Sequence, residues 1–145
     1  RPFHSFVFQG NMIKRTLSVF CILLCVFTAC ASGPDLTGTR WQLTQLNGQP
    51  ALEGVTITLN LEESSLGGSD GCNTYGGSYT TKGSAFKTGG DIFSTMMFCS
   101  DEINNQATAY YNILNQVASF TLQDQTLTLL DASGMVLAEF TNLNE

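Results

Sequence analysis

The sequence predicts a strand-rich α+β domain, in which a small curved antiparallel sheet or partly open barrel has one helix packed against it. Three observations lead to this fold class. Residues 55–61 alternate strictly between apolar and polar, residues 67–90 are rich in glycine, and residues 103–117 repeat apolar side chains at helical spacing. Alternation is typical of a strand with one buried face, whereas spacings of three and four are typical of a helix with one buried face.

Two strands are predicted in the first part of the chain. Thr39 to Leu46 places Trp41 and Leu43 on one face, and the turn signal Asn47-Gly48 follows. From Val55 to Leu61 the apolar side chains occupy every second position, which is the clearest strand pattern in the sequence. One face of each strand must therefore meet a core.

The glycine-rich segment contains eight glycines in 24 residues, between Gly67 and Gly90. Glycine at this density suits tight turns, bulges and sharply coiled strands, and the alternative is a disordered loop. Because Tyr75, Tyr79 and Phe86 interrupt the glycines at spacings that allow inward packing, we favour an ordered segment.

The helical segment carries apolar side chains at spacings of four and three residues from Ile103 to Val117. Ser100 is the predicted N-cap, and the two acidic residues after it complement the helix dipole. We interpret the apolar stripe as a core-facing surface. Beyond it, turns at 123–125 and 131–134 separate three further predicted strands, which form an antiparallel meander.

Residues 12–29 have the pattern of a bacterial lipoprotein signal peptide. A positive start at Lys14 and Arg15 precedes 13 largely apolar residues, and Phe27-Thr28-Ala29-Cys30 resembles a lipobox. An apolar run of this length falls short of the roughly 20 residues that span a bilayer. The alternative is a short membrane anchor or a buried core strand. We expect cleavage before Cys30 and lipid attachment to it.

This interpretation divides the chain into four parts. They are upstream translated sequence or vector-derived residues (1–11), a signal peptide (12–29), a short tether (30–36) and the folded domain (37–145). We expect the protein in the cell envelope, held to a membrane by acyl chains on Cys30. Because Ala31 follows this cysteine, the location expected in a Gram-negative host is the periplasmic face of the outer membrane.

Removal of the signal leaves an acidic protein without histidine. Arg40, Lys82 and Lys87 are the basic residues that remain, against all twelve acids, which gives a formal charge of −9. The single histidine, His4, precedes the predicted cleavage site. This composition argues against nucleic-acid binding, and against Ser-His-Asp triads, Cys-His pairs and the usual zinc sites.

The enzyme hypothesis that remains depends on carboxylates. Asp70, Asp91 and Asp101 would have to meet in a cleft, with or without calcium between them. Acidic side chains on so acidic a domain are usually just solvated. We therefore expect no enzyme, no cofactor and no metal site.

Cys72 and Cys99 are the thiols that remain after cleavage and acylation. In an oxidising compartment an even pair predicts a disulfide, and two separate buried thiols are the alternative. A bridge would close a loop of about 28 residues and add roughly 3 to 4 kcal/mol in the chain-entropy model. The wide spacing differs from the C-x-x-C pattern of redox-active sites.

Around these cysteines the chain resembles the META domain, or HslJ-like, family, over about Leu36 to Phe140. The segment Leu36–Leu43, which contains Trp41, is similar to the family's opening strand. Gly71-Cys72-Asn73 looks like its glycine-cysteine-asparagine motif, and Thr95-Met96-Met97-Phe98-Cys99 is similar to its threonine-x-methionine-x-cysteine motif. The resemblance implies a small β-rich domain with a helix against a curved sheet. Such domains are often carried on bacterial envelope lipoproteins and are linked to heat shock and novobiocin resistance.

The residue types in these motifs indicate structural roles. Gly71 permits an unusual backbone angle or a close approach, Asn73 can satisfy backbone groups in a turn, and Met97 is expected to fill the core beside the cysteine. We therefore expect a non-enzymatic stress-response or binding module, whose partner is an envelope protein or a lipid-like ligand held at the barrel mouth or an exposed face. The alternative is a structural protein that maintains the outer membrane without a discrete ligand.

Overall fold

The computed structural model of the protein describes residues 33–144. Residues 1–11, the predicted signal peptide and Cys30 lie outside the described residues, so the predictions made for them stay predictions. Within the described part of the chain, no helix combines the length and the apolar character that a membrane crossing requires.

Residues 33–144 form ten β-strands and one α-helix. In chain order these are β1 (Thr39–Leu46), β2 (Gln49–Pro50), β3 (Thr58–Leu61), β4 (Ser65–Ser69), β5 (Thr74–Lys82), β6 (Ala85–Thr88), β7 (Phe93–Ser94), α1 (Asp101–Gln116), β8 (Ser119–Gln123), β9 (Thr126–Leu130) and β10 (Val136–Asn142). The predicted first strand and the C-terminal meander are confirmed, and the glycine-rich segment is ordered as β4 and β5.

The strands pair antiparallel in the order β10-β9-β8-β6-β5-β4-β3-β1-β2. Because β10 also pairs with β1, eight of these strands form a ring, with β2 beside β1 and β7 beside β5. The ring is uneven: five residue pairs join β10 to β1, whereas Ala85 opposite Ser119 is the one pair that joins β6 to β8. The fold is therefore a partial barrel with one helix, as the sequence predicts.

One face of α1 packs into the ring. Its buried side chains are Ala107, Tyr110, Ile113 and Leu114. The ring of Tyr110 lies 5.6 Å from that of Tyr75 on β5 and 6.4 Å from that of Phe140 on β10. Since β5 and β10 are on opposite sides of the strand ring, the helix contributes to the interior of the barrel.

The start of α1 differs in detail from the prediction. Ser100 occupies the N-cap position with extended backbone angles, but its side chain makes no capping hydrogen bond. Instead, Asn104 one turn later donates from Nδ2 to the carbonyl of Cys99 at 3.0 Å. The first turn is therefore fastened to the residue that carries the disulfide.

The predicted strand at 55–61 forms only in its second half. β3 begins at Thr58, and Ile57 makes an isolated bridge to Asp70. Before it, the N–H of Val55 donates to the carbonyl of Leu52 in a turn. Alternation alone therefore predicted a longer strand than the turn geometry permits.

Candidate functional site

A disulfide joins Cys72, in the turn between β4 and β5, to Cys99, immediately before α1. The two sulfurs lie 2.03 Å apart, and the Cα atoms are separated by 6.0 Å. The predicted pairing is thus present in the structure, and the alternative of two separate thiols is wrong. The bridge connects the two family motifs across 27 residues of chain.

Asn73 fastens the second motif to the first through its side-chain amide. Its Oδ1 accepts hydrogen bonds from the Thr95 hydroxyl at 2.8 Å and from the Met97 N–H at 2.7 Å. Its Nδ2 donates to the Met97 carbonyl at 3.2 Å. The amide therefore binds both the N–H and the C=O of Met97, as the backbone of a neighbouring strand would. The sequence predicts this role for Asn73, that of satisfying backbone groups in a turn.

Asp70 anchors the same turn from inside the barrel. Its side chain is 1 % exposed, and Oδ1 accepts from the N–H groups of Cys72 and Asn73. Its Oδ2 accepts from the hydroxyl of Tyr111 on α1 at 2.6 Å. One carboxylate thus joins the turn to the helix, and both of its oxygens are occupied.

Gly71 has the backbone conformation that the sequence predicts. Its φ is +93°, a region that residues with a side chain rarely adopt. A Cβ at this position would also collide with Cγ1 of Val55. Both reasons given for a glycine here, the angle and the close approach, hold in the structure.

Two further tyrosines pack against Tyr111, the tyrosine that binds Asp70. The hydroxyl of Tyr75 donates to the carbonyl of Thr58 at 2.8 Å, and it lies 2.6 Å from the hydroxyl of Tyr110. Because Tyr75 uses its proton on Thr58, Tyr110 is the donor between them. Burial is the largest cause that raises the pKa of Tyr75, Tyr110 and Tyr111 above the usual range of a phenol. These side chains therefore stay neutral at physiological pH and act as structural donors.

β7 and the segment that joins it to α1 expose four large apolar side chains. Phe93, Met96, Met97 and Phe98 retain 68, 98, 63 and 84 % of their accessible surface. We call residues 93–98 the apolar loop. The prediction that Met97 fills the core is wrong: both of its backbone groups bind Asn73, and its side chain points outward. Trp41, in contrast, is buried as expected for the opening strand.

The apolar loop carries no charge of its own, and acidic side chains flank it. Asp91 precedes it, Asp101 and Glu102 follow it, and all three are exposed. Hydrogen bonds from the side chain and the backbone of Ser78 lower the pKa of Asp91, so this flank is ionised at neutral pH. The exposed hydrophobic surface therefore lies between negative charges.

The carboxylates of the enzyme hypothesis do not come together. Asp70 is committed to the turn, Asp91 binds Ser78, and Asp101 begins the helix. Within residues 33–144, no three side chains of the types His, Cys, Asp and Glu are placed to hold a metal ion.

The fold is a partial barrel in which a disulfide joins the two sequence motifs. Comparison with known proteins shows the family to which such a domain belongs. Residues 34–143 match the profile of the META domain. The chain therefore belongs to the META domain family. No curated protein matches it in sequence.

Solved structures share the fold. An NMR structure of a protein from Burkholderia xenovorans has a TM-score of 0.62 and 26% sequence identity, covering 79% of this chain and 94% of its own. A second NMR structure has a TM-score of 0.58 at 21% identity, covering 72% and 89%. The crystal structure of a DUF4847 family protein from Bacteroides vulgatus has a TM-score of 0.51 at 16% identity, covering 78% and 94%. The second NMR structure and the crystal structure, both below 25% identity, share the fold with this chain.

Proposed function

We propose that this META domain protein is a non-enzymatic binding module of the bacterial cell envelope, attached by acyl chains on Cys30, and that the apolar loop contacts a protein partner. The observation that carries the proposal is the exposure of four large apolar side chains on a fixed loop. Contiguous exposed apolar surface marks interaction sites in soluble domains. Phenylalanine and methionine are also enriched at protein interfaces.

The way the loop is held supports this use. The disulfide secures the end of the loop at Cys99, and Asn73 secures its centre at Met97. At its start, β7 pairs with β5, and Phe93 lies over Gly76, where a Cβ would stand 2.8 Å from the Phe93 ring. A loop that is already ordered loses little conformational entropy when it binds, which favours affinity.

The charges around the loop define the chemistry of the partner. Exposed carboxylates stand on both sides of it, and the folded domain is acidic as a whole. A matching surface has an apolar pocket bordered by lysine or arginine side chains. Anionic lipid would instead be repelled by the flanking acids, so a protein surface fits the loop better than a membrane does.

The position of the loop along β5 also favours a protein partner. Gly33, three residues after Cys30 in the sequence, lies against Gly83 in the turn after β5. Phe93 pairs with Gly76 near the other end of this strand. Seven steps along the chain, at roughly 3.3 Å each, place Gly76 and Gly83 about 23 Å apart. Gly33 and the apolar loop therefore lie near different ends of β5, which supports a contact of the loop with a protein rather than with the membrane that acyl chains on Cys30 would hold.

A photo-cross-linking amino acid at Met96 is expected to trap a partner in living cells, because this side chain is 98 % exposed at the centre of the loop. Combining it with Phe98→Ser should reduce the adduct about tenfold, the equivalent of about 1.4 kcal/mol. Immunoblots of the cross-linked cells measure the effect. The matched control is a cross-linker at Met135, which is 62 % exposed on the turn before β10. Equal adducts at both positions would contradict a role for the loop.

Metabolic labelling with an alkyne fatty acid is expected to mark the wild-type chain and to be lost in Cys30→Ser. The reason is that the predicted signal leaves this thiol at the new N-terminus for acylation. In-gel fluorescence after click chemistry measures the label. Cys25→Ser is the matched control and should keep the label, since that cysteine precedes the cleavage site. Labelling that persists in Cys30→Ser shows that the lipobox assignment is wrong.

A further inference from the structure

A cleft of about 800 Å³ lies beside β6, on the side where this strand has little pairing with β8. We call it the β6 cleft. Apolar lining comes from Phe86, Val117 and Ala118, and polar lining includes Lys82, Lys87 and Thr88. The cleft is formed at the uneven part of the ring, and residues at and just after the end of α1 line its other side.

The edge of β6 offers backbone groups to this cleft. The N–H of Gly89 donates to the carbonyl of Ser78 on the β5 side, whereas the N–H of Phe86 donates to the carbonyl of Ala118 on the other side. Peptide groups alternate in direction along an antiparallel strand. Thr88 therefore directs its N–H and C=O away from β5, as Phe86 does. Within the described chain, Phe86 is paired on this side and the peptide groups of Thr88 face the cleft.

The cleft also concentrates positive charge in an acidic protein. Arg40, Lys82 and Lys87 are the basic residues within 33–144, and the two lysines line the cleft, whereas none of its lining residues is acidic. On the β5–β6 hairpin, Lys82 opposes Ala85 and Lys87 opposes Thr80. The two lysines are thus diagonal neighbours on one face, about 7 to 8 Å apart.

We propose that the β6 cleft binds an extended peptide with acidic side chains, which adds to β6 at Thr88 as a further strand. An unpaired strand edge recognises backbone, and the side chains of alternate peptide residues meet one face of the sheet. Acidic residues on that face pair with Lys82 and Lys87. A fatty acid would use the apolar lining and a lysine, but its ionised carboxylate has no donor for the Thr88 C=O. This site is separate from the apolar loop and does not depend on its function.

The test uses the purified protein and a fluorescein-labelled octapeptide in which glutamate and valine alternate. Fluorescence anisotropy should show binding that weakens at high salt, because charge pairs contribute to it. A matched octapeptide with lysine in place of glutamate should bind at least about tenfold more weakly. Equal binding of the two peptides, or binding of a fluorescent fatty acid without binding of the peptide, would overturn the proposal.

Thr88→Pro tests the strand edge directly, since proline lacks the N–H and is tolerated on strand edges. We expect it to weaken the glutamate peptide about tenfold. Thr88→Val is the matched control: it loses the hydroxyl that donates to the Leu114 carbonyl at 3.0 Å but keeps the N–H, so it should bind as wild type does. Circular dichroism melts verify folding. Binding by Thr88→Pro equal to that by Thr88→Val excludes strand addition.

Charge reversal gives a second, independent result if the proline variant does not fold. Lys82→Glu combined with Lys87→Glu alters two exposed side chains and leaves the backbone of the hairpin unchanged. We expect this variant to lose affinity for the glutamate peptide about tenfold or more and to gain affinity for the lysine peptide. Unchanged preference between the two peptides would contradict the proposed charge recognition.

Discussion

Replacing Cys72 and Cys99 together by serine is expected to lower the free energy of unfolding by roughly 3 to 4 kcal/mol. The bridge spans 27 residues, and closing a loop of this length removes that much unfolded-state entropy in the chain-entropy model. Urea denaturation followed by tyrosine and tryptophan fluorescence measures the loss. The wild-type protein in a strong reductant should show a loss of the same size, because it also lacks the bridge.

Loss of the disulfide is also expected to affect the order of the apolar loop and its contact with a partner. Without the bridge, the apolar loop is still held by Asn73 and by β7, so the barrel should fold while the loop becomes less ordered. Hydrogen exchange at 95–99 should then be faster than in wild type, and the adduct formed from Met96 should decrease. Met96→Ser is the control for stability, since this exposed side chain should change unfolding by less than about 0.5 kcal/mol. A double serine variant that unfolds at the wild-type urea midpoint contradicts the prediction.

Local periodicity was sufficient for most of the secondary structure. β1 has the predicted bounds, Thr39–Leu46, and α1 falls within two residues of the predicted apolar stripe. These elements present one face to the core, so their sequence pattern and their burial have the same period. The same reasoning failed at Val55, where a turn that ends near Gly54 (φ +75°) delays the strand.

Barrel closure and its uneven region could not be derived from single segments. The pairing of β10 with β1 joins residues about 100 positions apart. No short segment of the sequence predicts this pairing. The single pair between β6 and β8 likewise depends on where α1 ends. As a result, the β6 cleft and its two lysines were not predicted, although Lys82 and Lys87 were visible as rare basic residues.

The candidate site shows why an apolar residue type is a poor guide to burial. Met97 was expected inside because it is hydrophobic, but exposed apolar side chains are common, so the rule holds in one direction only. Its orientation is set by Asn73, 24 residues away in the sequence. The signal that could have been used is the run 93–98, in which four large apolar residues recur without a strand or helix period.

Asp70 is the opposite case, a charged residue type that the structure buries. The sequence named it only among the carboxylates that an enzyme would need, whereas in the structure it is the acceptor for three donors. A sequence shows the carboxylate but not the Tyr111 hydroxyl that reaches it from a helix 41 residues later. A buried carboxylate whose two oxygens both accept hydrogen bonds stabilises the local structure around it.

Replacing Asp70 by alanine is therefore expected to lower the free energy of unfolding by about 3 kcal/mol. The Cys72 N–H, the Asn73 N–H and the Tyr111 hydroxyl would each lose their acceptor, and a donor left unsatisfied in a partly buried site costs about 1 kcal/mol or more. Urea denaturation under non-reducing conditions measures the change, so that the disulfide is kept constant.

Two further variants separate the contributions to this effect. Tyr111→Phe removes one of the three hydrogen bonds and should cost about 1 kcal/mol. Because that bond is already absent in Asp70→Ala, the double variant should be less destabilised than the sum of the single variants, with a coupling of about 0.5 to 1 kcal/mol. Asp91→Ala, at an exposed acid that binds only Ser78, should change stability by less than about 0.5 kcal/mol. If Asp70→Ala is no more destabilised than Asp91→Ala, the carboxylate does not anchor the turn, and the position of the apolar loop must depend on the disulfide, Asn73 and the pairing of β7 with β5.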